Sequence, residues 1–200
     1  APSAGASDQV SQHATSEQAV PAAPNGPNEV AMGVYINDIH DIDFKTNSYS
    51  VDLYLWLRWR GKERDPIKTL EFMNIFDPES QGKTVLFDNP KVMPDGTLYN
   101  IIRYQGRFAR KFNFQRYPFD RQVLEFVVQD SSSSDAAQRY VADKQAMTIN
   151  PELTLTGFEI GEPGMSIAAY TYPTNFGDET MPNGEHYSRV MLSVPISRPI

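Results

Sequence analysis

The 200-residue chain contains no cysteine, which excludes a disulfide framework and a thiolate metal site and leaves its redox compartment undetermined. Basic residues are scarce, 18 Lys and Arg against 25 Asp and Glu, and a net charge of −7 argues against nucleic acid, which calls for a basic patch. No apolar run approaches the ~18 residues needed to cross a membrane as a helix. His13, His40 and His186 are scattered without metal-ligand spacing, and no nucleophile–base–orienter set is visible, so the chain does not read as an enzyme. Large apolar side chains are almost absent from residues 1–28, which are rich in Ala, Ser, Pro and Gln. Such a stretch cannot bury enough surface to offset its ordering entropy and reads as a disordered lead. It lacks the basic start and apolar core of an intact signal peptide. Residues 29–200 then form one domain, for which a 40% hydrophobic content supplies a sizeable core.

What is present is alternation. Val30, Met32, Val34 and Ile36 share one face, and Leu53, Leu55, Leu57 and Trp59 share another, with Tyr54, Trp56, Arg58 and Arg60 opposite. Turn signals recur at short intervals at Asp77-Pro78, Asp88-Asn89-Pro90 and Pro94-Asp95-Gly96, the last opening a hairpin in which Tyr99, Ile101 and Arg103 fall on one side. Ser131 to Ser134 reads as a flexible polar opening, and Thr148 to Ile160 as a further strand pair. The pattern predicts an all-β, immunoglobulin-like two-sheet β-sandwich. The acids of Asp38-Ile39-His40-Asp41-Ile42-Asp43 suit either a hard cation or the polar face of a strand.

The centre of the chain is Gly106 to Val128, two strands joined by Arg116-Tyr117-Pro118-Phe119-Asp120-Arg121-Gln122. Proline removes a ladder donor, so Pro118 belongs in the turn, and its flanking rings call for an apolar mate. Tyr117-Pro118-Phe119-Asp120-x-Gln122 resembles the [FY]PFDxQ signature of the pentameric ligand-gated ion channels, the Cys-loop receptor superfamily, and the resemblance extends over roughly residues 30 to 200. The two cysteines that close this loop in animal members match Arg110 and Leu124 here, as in bacterial relatives without the disulfide.

The resemblance implies an agonist-binding extracellular domain that couples ligand at subunit interfaces to a transmembrane pore. The chain would assemble as a homopentamer in the cell membrane, with this domain in the periplasm or outside the cell and the membrane helices following it. Matched ligand residues are Tyr54, Phe72, Asn74, Tyr99, Ile101 and Arg103, with Tyr170, Tyr172, Phe176 and Tyr187 on the hairpin that caps the ligand. Matched coupling residues are Asp43, Tyr117, Pro118, Phe119, Asp120 and Arg198, with Arg198 expected to meet both Asp120 and Asp43 and Phe119 left open to the membrane helices. Animal members hold a cationic amine with a tryptophan that matches Ser131, so amine specificity does not carry over. The agonist stays open among an amine, protons, a divalent cation and a small anion. No cofactor is implied, but calcium or proton modulation is expected from Asp38, Asp41, Asp178 and Glu179. The alternative reading is a soluble β-sandwich binding module, lectin-like or a secreted ligand-binding homologue.

Overall fold

Alternation along β2 (Ser48–Trp59) sets the architecture: Val51, Leu53, Leu55, Leu57 and Trp59 are buried, while Tyr54, Trp56 and Arg58 between them stay half-buried. The computed structural model describes residues 26–200. The disordered lead expected over 1–28 therefore lies, up to residue 25, outside the described residues. β1 (Asn28–Asp43) turns into β2, and a single helical turn, α1 (Pro66–Thr69), capped by the Asp65 carboxylate, leads to the short β3 (Leu70–Phe72). After a 3-10 turn at Pro78–Ser80 come β4 (Gly82–Val85), β5 (Lys91–Val92) and β6 (Leu98–Ala109). β7 (Arg121–Asp130), β8 (Gln138–Ile149), β9 (Glu159–Ile160), β10 (Gly164–Thr171) and β11 (His186–Ser197) complete the chain.

One sheet runs β4–β6–β2–β1–β8 with β5 beside β6, and the other runs β10–β11–β7–β3 with β9 beside β11. Their inner faces meet through Val30, Met32, Val34, Leu53, Leu55 and Leu57 on one side and Leu124, Phe126, Val128, Val190, Leu192 and Val194 on the other. This is the expected two-sheet sandwich.

Of the strand pair expected over Thr148 to Ile160, Thr148 and Ile149 are the end of a long strand that begins at Gln138 and runs parallel to β1, and the rest is a connection with one bridge, Leu155 to Phe158, followed by β9. The alternation of β8 is hidden by Gln145, whose φ of +49° puts it in the left-handed region, where the register with β1 slips between Met32 and Val34. Two steps on β1, Met32 to Val34, oppose five on β8, Ala142 to Met147, and such an odd excess flips every later side chain to the other face. Gly33 in the same stretch has no room for a side chain. A Cβ there would lie 2.0 Å from the Trp56 ring, whose indole N–H donates to Asp143 at 2.9 Å.

The edge of β7 beyond the end of β3 is completed by side chains. Asn74 donates to the carbonyls of Ala109 and Glu125 at 3.2 and 2.8 Å and accepts from the Val127 amide at 2.9 Å. Tyr49, wholly buried on β2, crosses the core to donate to the Glu125 carbonyl at 2.5 Å and accept from the Glu125 amide at 2.9 Å. Burial pushes this phenol's pKa well above its usual value, so it stays a donor. Asn74, expected in a ligand loop, therefore joins β6 to β7 with its amide committed. Phe72, expected in the same loop, packs its ring on Tyr104 at 4.2 Å and Phe108 at 5.4 Å beside the core.

Tyr49→Phe keeps the ring, which meets Phe126 edge-on at 5.6 Å, but leaves the Glu125 amide without its acceptor. The expected loss is about 1–3 kcal/mol of unfolding free energy in urea titration, and an unchanged midpoint contradicts the bridging role.

Candidate functional site

Between β6 and β7 the chain folds into a compact turn in which the Tyr117 amide donates to Phe114 O at 3.0 Å and the Phe119 amide to Arg116 O at 2.7 Å. The Tyr117–Pro118 bond is cis, and the Tyr117 and Phe119 rings are 65% and 68% exposed, as their expected role against another surface requires. Asp120, by contrast, is buried. One carboxylate oxygen accepts from Arg198 Nε at 2.9 Å and the other from Gln122 Nε2 at 2.8 Å. Gln122 also donates to the Asn113 carbonyl at 2.7 Å and accepts from the Asn113 amide at 3.1 Å, pinning the two ends of the turn together. The spacing of Asp and Gln in the signature is thus that of two neighbours sharing one hydrogen-bond network. At the position of the missing disulfide, Arg110 reaches Glu125 at 2.5 Å and the Val123 carbonyl at 3.2 Å, so an ion pair spans the same two strands.

Arg198 follows β11, and its guanidinium lies among Phe158 at 4.9 Å, Tyr117 at 5.1 Å and Phe44 at 5.5 Å. Phe44 in turn meets Phe112, Phe114 and Phe158 at 4.9, 5.4 and 5.7 Å. Three separate stretches of chain therefore converge on the arginine at the end of β11: the β1–β2 turn, the Pro-Phe-Asp turn and the β8–β9 connection. Asp43 is not among its partners, and this expectation is corrected. Its carboxylate accepts from the Lys45 and Thr46 amides at 2.8 and 3.2 Å, closing its own turn, and those bonds lower its pKa.

The hairpin residues gather on the outer face of the other sheet. Tyr172 meets Tyr170, Phe176 and Tyr187 at 4.9, 5.2 and 5.6 Å, and Arg189 Cζ stands 3.5 Å from the centre of the Tyr170 ring. Tyr54 and Arg103 are cross-strand partners on β2 and β6, with the guanidinium 5.5 Å from the ring. Arg103 grips Asp52 through two bonds of 3.0 and 2.7 Å, which hold that carboxyl below its usual pKa. Tyr99 and Ile101 share this face, both half-buried. These two clusters lie on different sheets, and one chain does not bring them together.

The acids expected to hold a cation do not converge: among the described residues no three His, Asp or Glu side chains are placed to share an ion. Asp38 and Asp41 flank His40 at 3.4 and 3.8 Å, whereas Asp178 accepts from the Thr180 amide and hydroxyl in its own turn, and Glu179 is exposed beside it. Sequence reasoning missed Phe44, Phe158, Arg189 and Gln129. Arg189 was within reach, two residues after Tyr187 on an alternating strand and so on the same face, but the pairing of Gln129 with Arg189 is tertiary.

Burial alone would raise the Asp120 pKa, but the hydrogen bonds from Gln122 and Arg198 outweigh it and hold the carboxyl below its ordinary 3.8. A depressed native pKa contributes stability that is complete above the unfolded value and is lost as pH falls through the native one. A carbon-detected NMR titration of Asp120 is expected to give a midpoint below 3.8, rising in Arg198→Gln. A midpoint above that value in the wild type contradicts the pairing.

No protein-family profile matches the chain. It is 26% identical over 173 residues to a proton-gated ion channel of Gloeobacter violaceus (strain ATCC 29082 / PCC 7421), covering 80% of this chain and 47% of the relative. The chain thus spans about half the length of the curated relative it matches. That likeness, the two-sheet sandwich and the Pro-Phe-Asp turn agree with the resemblance of the chain to the pentameric ligand-gated ion channels.

Proposed function

We propose that the domain reads an agonist where two copies of it meet in a homopentamer and passes the result to a membrane pore through the Asp120–Arg198 pair. The observation that carries this reading is the pair itself: a buried carboxylate tied to an arginine at the end of β11, in a turn whose Tyr117 and Phe119 rings stand open. A charge-assisted bond between two chain segments transmits displacement, because moving either segment leaves a charge unpaired. The other half of the reading is the separation of the two clusters. Tyr170, Tyr172, Phe176 and Tyr187 on one copy meet Tyr54, Tyr99, Ile101 and Arg103 on the next, which unites what a single chain keeps apart. The domain then lies outside the membrane, in the periplasm or beyond it. Calcium modulation within this reading uses Asp38, Asp41, Asp178 and Glu179, completed by carboxylates of a neighbouring copy. Proton modulation acts elsewhere than Asp120, whose lowered pKa keeps it charged through mildly acid pH.

Current recording from the full-length protein across pH, calcium and an amine panel tests the proposal. At least one stimulus is expected to open a pore. Arg198→Gln and Asp120→Asn assemble yet lose current. Removing one partner of a buried pair costs roughly 3–5 kcal/mol, enough to depopulate an open state about 100-fold when the two states differ by a few kcal/mol. Tyr54→Ala and Tyr170→Ala shift the concentration–response curve without changing assembly. Wild-type gating in either charge mutant rejects the coupling, and unmoved curves in both tyrosine mutants reject the interface.

A further inference from the structure

The edge strands of the two sheets, β3 and β4, border a cleft of about 460 Å³. Its walls include Leu70 and Phe72 of β3, Ile75 and Pro78 beyond it, and Tyr104 of β6, with the Phe72 ring on Tyr104 at 4.2 Å. One further side chain enters it. Lys83 on β4 is the cross-strand partner of Tyr104, and directly opposed residues of an antiparallel pair present their side chains to the same face. Tyr104 is only 1% exposed, so the lysine too is directed inward. Its terminal nitrogen donates to the Ile67 carbonyl at 2.9 Å.

Among the described residues Lys83 forms no ion pair. Asp65 acts on it from a distance, with its carboxylate engaged by the Ile67 amide at 3.1 Å and by Lys68 at 4.0 Å. Glu71 borders the cleft but lies outside ion-pair range. Burial therefore holds the amine below its usual pKa, and Asp65 offsets this only in part. A neutral amine that donates one N–H to a carbonyl turns its lone pair away from that oxygen, which leaves the pair free for a partner in the cleft. Desolvated lysines in such surroundings are nucleophiles toward carbonyl carbon.

We infer that Lys83 is a covalent anchor for a small aryl aldehyde, held in the cleft as an imine. The Nζ lone pair forms a C–N bond at the carbonyl carbon, the carbonyl π pair moves to oxygen, and a proton passes from nitrogen to oxygen. Loss of that oxygen as water leaves a C=N bond, so one amine and one aldehyde give one imine and one water without oxidation or reduction. An aryl ring suits the site, because aromatic pairs with Phe72 and Tyr104 gain beyond simple burial. The site shares no residue with the Arg198 turn or the tyrosine hairpin, and it stands whether or not the protein conducts.

The test treats the full-length protein at neutral pH with benzaldehyde and sodium cyanoborohydride, which reduces each imine to a stable benzylamine, and maps the label by peptide mass spectrometry. Lys83 is expected to be labelled at least about threefold faster than Lys45, Lys62, Lys91 and Lys111, the scale of a modestly activated nucleophile. Benzyl alcohol, which has the ring but no carbonyl, is expected to slow Lys83 and leave the other four unchanged. Glyoxylate, an aldehyde without a ring, is expected to label all five without preference. Labelling of Lys83 no faster than the others overturns the inference and leaves an inward charge that only protects the edge of β4. Indifference of Lys83 to benzyl alcohol, or an equal preference for it with glyoxylate, also overturns the aryl aldehyde site.

Discussion

A buried carboxylate has to keep its donors, and in this domain that requirement falls on Asp120. Its two oxygens are divided between Arg198 and Gln122, so one side chain fixes the end of β11 against the turn between β6 and β7. The aromatic rings around Arg198 follow from the same constraint. A guanidinium whose fork is engaged on one side still presents two flat faces, and Phe158, Tyr117 and Phe44 cover them. The Pro-Phe-Asp turn is therefore rigid where it meets its own domain and bare where it meets something else, with Phe119 outermost.

The same division between satisfied interior and open surface runs through the sandwich. β7 lacks a strand along part of its edge, and Asn74 with the Tyr49 hydroxyl supplies the missing donors and acceptors from within. The outer faces do the opposite. Tyr54 with Arg103 on one sheet, and the tyrosines around Arg189 on the other, carry aromatic and charged groups in excess of what a sandwich needs for its own stability. The two clusters differ in electrostatics: Arg103 is paired with Asp52, whereas Arg189 is held by the neutral Gln129.

Much of this was legible in the residues. Alternation over Val30 to Ile36 and along β2 gave the faces directly, and the short turn-rich intervals gave the strand count its scale. The Pro-Phe-Asp motif located the turn, and Arg198 and Asp120 were paired correctly from the resemblance. What could not be read was tertiary. Asp43 looked like a second partner for Arg198, but a carboxylate two and three residues ahead of free amides is captured locally before any distant cation reaches it. Asn74 and Phe72 sit in a stretch that resembles a ligand loop, yet their partners on β6 and β7 are set by where β3 stops, a length no pattern announces. Gln145 hid β8 in the same way, since one left-handed residue erases the period that reveals a strand.

The parallel pairing of β1 with β8 bears on how the chain is made. Glu29 and Arg139, which meet across that pair, are 110 positions apart, so the outer edge of β1 stays unpaired until most of the domain has been synthesised. At ribosomal rates of about 5–20 residues per second, that is on the order of several seconds during which an apolar strand offers a free row of amides and carbonyls. Its hairpin partner β2 covers the opposite edge at once, but the edge reserved for β8 waits. A topology closed by so distant a contact folds slowly and is exposed to mispairing between nascent copies meanwhile. The waiting edge of β1 is thus an early route to contact between copies that the finished fold no longer offers.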